Sequence, residues 1–118
     1  MSDSSIAELI AIERQLDKLA STCNSLIMLS NLASAAGNTA EAAALVNMVP
    51  NLQLQQFLLF REKQKIVISS PEWKAMKTKL EKVNTKIEAD LKHLNDISEV
   101  INQTSKVIAA AAAVVALF

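Results

Sequence analysis

Apolar residues recur along the first third of the chain at alternating gaps of three and four, which places them on one side of a helix. The series consists of Leu9, Ile12, Leu16, Leu19, Cys23 and Leu26. Ser5 and Glu8 have the spacing of a capping box, so we expect the helix to begin there. Gly37 and Asn38 provide a stop and a new start. The pattern predicts a first helix with one stripe in a core.

The second apolar segment, residues 39–68, contains Pro50. Proline lacks a backbone donor and disfavours helical geometry at the residue before it, so we expect a second arm of two helices with a kink at Pro50. A further start signal follows at Ser70 and Pro71, where a hydroxyl can cap a helix and proline suits the first helical position.

Beyond Pro71 the chain has no Gly or Pro and carries a heptad repeat. One core position is filled by Trp73, Leu80, Ile87, Leu94, Ile101 and Ile108, and the other by Met76, Val83 and Ile97. A sustained heptad is typical of a coiled-coil seam in an antiparallel bundle. We therefore predict one long C-terminal helix of about 70 Å. The predicted fold is a single all-α domain, residues 1–118, an antiparallel up-down-up bundle of three arms.

Composition supports the all-α class. The 118 residues include one Gly, two Pro and no Tyr, which favours helices and leaves few turn or aromatic residues for a sheet. Because 51% of the residues are hydrophobic, a packed domain is expected rather than a disordered chain.

Charge is segregated along the chain. Residues 19–60 contain one charged residue, Glu41, whereas residues 61–92 contain fourteen of the 24 charges. Residues 107–118, VIAAAAAVVALF, have no polar side chain. A helix that is apolar on every side does not normally stand alone in water. Since the third arm exceeds the other two by about 20 Å, we expect residues 107–118 to form an apolar helical extension.

These features predict a non-enzymatic helical module for protein–protein interaction, either a homo-oligomer or an adaptor or neutralising partner of another protein. Contact is expected through the apolar end and the tail. The candidate partner-binding residues are Leu29, Leu32, Ile108, Val114, Val115, Leu117 and Phe118.

No residue pattern indicates catalysis, a metal site or a cofactor. The single histidine, His93, and the single cysteine, Cys23, fall on separate predicted helices, and no nucleophile, phosphate-loop or metalloprotease motif occurs. The lysines after Pro71 alternate with acids, and the formal net charge is zero, so a solvated face is favoured over a nucleic-acid site. We expect neither an enzyme nor a small-molecule substrate.

Membrane action is the alternative function. In it, a helical bundle opens and presents residues 25–49 and 107–118 to lipid, in the general outline of bacterial helical pore-forming proteins. Twelve residues span about 18 Å as a helix, short of the roughly 30 Å of a bilayer core. The N-terminus lacks the features of a signal peptide, and the lone cysteine favours a reducing compartment. We predict a cytoplasmic protein, with signal-free export by a bacterial apparatus as the other route.

Overall fold

The computed structural model describes residues 3–118, with side chains from Ile6 onward. Within this range the chain forms four α-helices, one short 3₁₀ helix and no strand, which confirms the all-α class. The elements are α1 (Asp3–Ala35), α2 (Thr39–Arg61), the 3₁₀ helix Lys63–Lys65, α3 (Pro71–Lys92) and α4 (Ile97–Val115). Helix α1 begins before the predicted cap at Ser5, whose side chain lies outside those described.

The turn between α1 and α2 is built around Gly37. Asn38 N–H donates to the Ala33 carbonyl (2.8 Å) and Gly37 N–H donates to the Ser34 carbonyl (3.0 Å). Gly37 has a φ of 90°, a left-handed conformation that side chains with a Cβ rarely adopt. These features form a Schellman end to α1, so the predicted stop is confirmed.

Helix α2 runs through Pro50 without a break, so the prediction of two helices in this arm is wrong. Pro50 lacks the N–H that would bond the Val46 carbonyl. Both residues lie on the exposed side of α2, where water can satisfy that carbonyl. The helix ends at Arg61, earlier than the predicted end near Ile68.

The predicted continuous helix after Pro71 is also wrong, because α3 ends at Lys92 and α4 begins at Ile97. Its predicted start is confirmed, since Ser70 caps α3 by accepting a hydrogen bond from the Trp73 N–H (3.3 Å). At the break His93 is extended, with φ −158° and ψ 111°.

Asp96 accounts for the new start after the break. Its carboxylate accepts from the Glu99 N–H (3.3 Å) and from the Ser98 hydroxyl (2.6 Å). An N-cap of this kind competes with a continuous helix, because it satisfies donors exposed at a helix start. The chain then reverses, which buries apolar residues of α4 rather than leaving them beyond the bundle. The tail is therefore not an overhang.

Helices α1 and α2 are antiparallel. The Ser30 hydroxyl donates to the Ala42 carbonyl at one end of the pair (2.7 Å), and Glu13 forms an ion pair with Lys63 at the other end (3.4 Å). Together they form the α1–α2 hairpin.

Helix α3 begins at the end of the molecule where α2 finishes, and it runs parallel to α1. Asn84 Nδ2 of α3 donates to Thr22 Oγ1 of α1 (2.9 Å), and the Thr22 hydroxyl is also 2.7 Å from the Lys18 carbonyl. Helix α4 returns antiparallel to α3, so that Pro71 and Ala113 line one cavity. These two helices form the α3–α4 hairpin.

The packed pairs are α1 with α2, α3 with α4, α1 with α3, and α2 with α4. The molecule is thus two antiparallel hairpins laid side by side, measuring 53 × 24 × 19 Å. The core lies between them and is mostly aliphatic. Its fully enclosed large side chains include Leu16, Leu19, Leu26, Leu29, Leu45, Leu52, Leu59, Met76, Leu80, Ile87, Val83 and Val100.

The heptad prediction is confirmed along α3, where Trp73, Met76, Leu80, Val83 and Ile87 are buried. After the break the pattern changes. The buried positions of α4 are Ile97, Val100, Thr104, Val107, Ala110, Ala111 and Val114. Residues 101 and 108, which the uninterrupted heptad assigns to the seam, are only partly buried. Ile97 is buried as predicted, whereas farther along α4 the buried side includes Val100, Val107 and Val114, which the heptad did not assign to the core.

Candidate association surfaces

The seven residues predicted to bind a partner do not form one surface. Leu29 and Val114 are enclosed in the core, and Ile108 and Val115 are half-buried against it. Leu32, Leu117 and Phe118 are exposed.

The exposed members of that set also lie far apart. Leu32 is near the α1–α2 turn, whereas Leu117 and Phe118 follow α4, whose last turns lie beside Pro71 at the other end of the molecule. The tail and the turn between α1 and α2 therefore lie at opposite ends of the molecule and do not form one apolar end.

Most of the exposed large apolar side chains belong to the α1–α2 hairpin. The twelve such residues are Ile6, Ile10, Ile27, Met28, Leu32, Val46, Leu54, Phe57, Phe60, Val67, Leu117 and Phe118. The first nine are on α1 or α2, and none is on α3 or α4. The outer side of this hairpin is therefore the main apolar surface among residues 6–118.

Four of these residues define what we call the α2 stripe: Val46, Leu54, Phe57 and Phe60. At 100° per residue they fall within an arc of about 120° on the outside of α2. The large residues that α2 buries, Leu45, Val49, Leu52 and Leu59, occupy an adjoining arc of about 80°. Helix α2 thus has two apolar sides, and only one of them is covered within the molecule.

The α2 stripe continues onto α1. The antiparallel register places Ile27 opposite Val46, and a shallow cavity of about 290 Å³ between the two helices is lined by uncharged residues. The cavity residues are Ala20, Cys23, Asn24, Gln53 and Gln56. We call the α2 stripe, Ile27 and this cavity the hairpin face. The face carries no charged side chain until Arg61.

Two basic side chains close one end of the hairpin face. The Arg61 guanidinium lies 5.7 Å from the centre of the Phe57 ring, and Lys63 Nζ lies 4.1 Å from the centre of the Phe60 ring. Lys63 Nζ also forms an ion pair with Glu13 Oε2, at 3.4 Å. Cations at these distances are attracted to an aromatic ring face, so this end combines apolar area with positive charge.

A different surface lies between α3 and α4. Two adjoining cavities, of about 430 and 290 Å³, share Lys79 and Lys106 and together form the α3–α4 groove. The larger cavity is lined by Pro71, Glu72, Ala75, Lys79, Lys106, Ala109, Ala110 and Ala113. The smaller cavity is lined by Thr78, Lys79, Lys82, Glu99, Gln103 and Lys106.

One charged side chain is wholly enclosed among the described residues with known burial. Asp90 is fully buried, and one of its oxygens accepts from Lys86 Nζ at 3.1 Å. The other oxygen has no hydrogen-bond partner. A carboxylate in this state depends on its lysine, because an unpaired buried charge is strongly destabilising. Both groups belong to α3, four positions apart, so the pair lies within one helix.

The other candidates for chemistry remain separate. Burial raises the pKa of the Cys23 thiol, which keeps it protonated and weakens it as a nucleophile. His93 is exposed at the end of α3. Within the part of the chain that the structure describes, no three His, Cys, Asp or Glu residues come together as a metal site requires. No helix of that part combines the length and apolarity needed to cross a bilayer.

The sequence contained a signal for the hairpin face. Leu54, Phe57 and Phe60 are among the apolar positions of the second arm, together with Leu52 and Leu59. One helix face cannot hold them together with Leu52 and Leu59, since the two sets differ by a large rotation about the helix axis. An excess of apolar residues over what one side can hold is the signal for a second apolar side.

No protein-family model, curated protein or solved structure matches this chain. The chemistry of the two surfaces therefore carries the functional conclusion.

Proposed function

We propose that this protein is a non-enzymatic helical association module whose hairpin face pairs with the same face of a second copy. The observation that carries the proposal is the exposure of the α2 stripe on a hairpin that already has a complete core on its other side. A contiguous apolar surface of several hundred Å² commonly marks an association site on a soluble protein.

The size of the face suits a modest, concentration-dependent dimer. The α2 stripe runs from Val46 to Phe60, about 21 Å along the helix. Two packed helices are about 20 Å wide, so the face measures roughly 400 Å² on each copy. This is about half of the 800 Å² per partner that a stable interface of standard size buries. The phenylalanines, each about half exposed, supply the aromatic anchors that dominate such contacts.

The lack of charge favours a second copy over a different protein. In a two-fold symmetric contact the same patch meets itself, so charged side chains near its centre face like charges. Residues 19–60 contain only Glu41, which lies at the start of α2 and is half-buried on the side away from the α2 stripe. Two copies of the hairpin face can therefore pack together without bringing like charges into contact.

The other predicted attributes remain part of this proposal. The protein is proposed to work without a cofactor or a small-molecule substrate, and a reducing cytoplasm suits the buried thiol of Cys23. Leu117 and Phe118 are retained as a secondary contact, because they stay exposed after α4. Leu29 and Val114 are buried, so we propose that they support association only by stabilising the core.

Light scattering after size exclusion, with sedimentation equilibrium over a range of concentrations, tests the self-association. We expect the full chain to be dimeric and the Phe57→Glu variant to be monomeric with an unchanged helical circular dichroism spectrum. Met28→Glu is the matched control, because the exposed fractions of Met28 (57%) and Phe57 (56%) are nearly equal. Met28 is outside the hairpin face, since it follows Ile27 in α1 and is rotated from it by about 100° around the helix axis. The control should remain a dimer.

A monomeric full chain at every concentration would contradict the homodimer. Membrane action would then be the alternative. Phe57 and Phe60 lie beside Arg61 and Lys63, and such a mixture of aromatic and basic groups binds anionic lipid surfaces. Dye release from phosphatidylglycerol vesicles that is lost in Phe57→Glu would replace self-association with membrane action. A monomer that leaves vesicles intact would leave the hairpin face to a different protein partner.

A further inference from the structure

We propose that the α3–α4 groove is a second binding site, separate from the hairpin face, and that it receives an acidic amphipathic helix of another protein. The shape of the groove suits a helix. Ala75, Ala109, Ala110 and Ala113 line the larger cavity, and such small side chains allow the backbone of a helix to approach closely. From Pro71 to Lys82 the groove is about 17 Å long, which is roughly three turns of a helix.

The groove also carries unpaired positive charge. Lys79, Lys82 and Lys106 line the groove, and none of the ion pairs within 4.0 Å found among the described side chains includes them. Three lysines on the two sides of an apolar floor match a helix that has glutamates or aspartates on both flanks of an apolar stripe.

Two carboxylates, Glu72 and Glu99, also line the groove, so the charges of its lining sum to +1, three lysines less two glutamates. Glu99 accepts a hydrogen bond from Gln103 Nε2 at 2.9 Å. Glu72 lies in the first turn of α3, where the helix dipole stabilises a negative charge. Neither carboxylate lies within 4.0 Å of a groove lysine, so the three ammonium groups remain available to acidic groups of a partner.

The groove fits a helix better than a small molecule or a nucleic acid. Pro71, Lys82, Lys106 and Ala109 are exposed, so the groove is open along its length, whereas small-molecule sites enclose most of their ligand. No aromatic side chain lines it to stack on bases.

The experiment uses an isotope-labelled full chain and a synthetic peptide of about 18 residues, made of Leu, Ala and Glu, with leucine every three or four residues. We expect binding at micromolar concentration by calorimetry, and amide NMR shifts confined to residues 71–82 and 99–113. The combined variant Lys79→Glu and Lys106→Glu should weaken binding at least tenfold. Lys74→Glu with Lys77→Glu, exposed positions of α3 outside the groove, is the matched control and should change the Kd less than about twofold.

A peptide with lysine in place of every glutamate should bind at least tenfold more weakly. The proposal is overturned if both peptides bind equally, if the control pair weakens binding as much as the groove pair, or if no binding occurs up to about 1 mM. It is also overturned if phosphatidylglycerol vesicles, rather than the peptide, bind in a manner that requires Lys79 and Lys106.

The groove proposal stands apart from the homodimer. Phe57→Glu should abolish self-association and leave the peptide Kd unchanged. The groove variants should weaken peptide binding and leave self-association unchanged. Circular dichroism of the combined Lys79→Glu and Lys106→Glu variant shows whether it is still folded. The milder combined variant Lys79→Ala and Lys106→Ala should also weaken peptide binding, and it introduces no new charge. If Phe57→Glu still self-associates and only the groove variants prevent it, the occupant is a second copy and the acidic partner is wrong.

Discussion

The two hairpins bury similar aliphatic side chains but differ on their outer sides. Helix α2 has two charged residues in 23, Glu41 and Arg61, and exposes four large apolar side chains. Helix α3 has ten charged residues in 22 and exposes no large apolar side chain. Because both hairpins contribute to one core, the core does not account for the difference. The comparison separates residues that hold the fold from residues available for association.

The largest expected effect is that of removing half of α4. Deleting residues 107–118 takes away Val107, Ala111 and Val114, which are enclosed in the core, so we expect loss of cooperative folding. Deleting only residues 117–118, which are exposed, should leave thermal unfolding nearly unchanged. Circular dichroism melts of both deletions test this. A folded, cooperative protein without residues 107–118 would show that the α3–α4 hairpin does not keep its apolar residues inside.

The next effect compares the two hairpins directly. Leu45 of α2 and Leu80 of α3 are both fully buried, so Leu45→Ala and Leu80→Ala should each lower the free energy of unfolding by about 2–5 kcal/mol. Urea denaturation in the Phe57→Glu background measures this without a contribution from self-association. A cost for Leu45→Ala below about 1 kcal/mol would mean that α2 packs less well than α3.

The smallest expected effect concerns the cap of α4. Hydrogen bonds from Ser98 and from the Glu99 backbone lower the pKa of Asp96, and the charge of Lys86 contributes. A carboxylate with a lowered folded-state pKa stabilises the fold above its unfolded pKa of about 3.9 and loses that contribution as the pH falls through the folded value.

Asp96→Asn keeps a capping side chain and removes the charge, whereas Asp96→Ala removes both. The stability difference between the original chain and Asp96→Asn should therefore be greatest near neutral pH and shrink as the pH is lowered towards about 2. Asp96→Ala should be less stable than Asp96→Asn at every pH. Urea denaturation over this pH range tests both statements, and a difference independent of pH would exclude the cap charge as its source.

The features of the fold that could be predicted were those encoded by local spacing. The apolar stripe of α1 is buried from Ile12 to Leu26, Gly37 ends that helix, and Ser70 caps α3. Each depends on residues within a few positions of one another, so the sequence pattern is sufficient.

The features that could not be predicted depend on competition between local signals and packing. Asp96 and Glu99 have the spacing of a capping box, but a heptad that continues through them indicated an unbroken helix. The cost of Pro50 depends on whether the carbonyl it leaves unpaired faces water, which only the packed structure reveals. Likewise, the apolar content of residues 107–118 indicates that they must be shielded from water. It does not indicate whether the same bundle or another molecule shields them.

The same architecture shapes how the chain folds. Ser30 and Ala42, which join α1 to α2, are 12 residues apart, whereas Thr22 and Asn84, which join the two hairpins, are 62 apart. Closing the longer loop costs more entropy, so we expect each hairpin to form before the two dock. In that interval the α1–α2 hairpin presents both of its apolar sides to water. At high protein concentration a hairpin from another molecule competes for the inner side, so rapid refolding favours chains that have exchanged hairpins through residues 62–70.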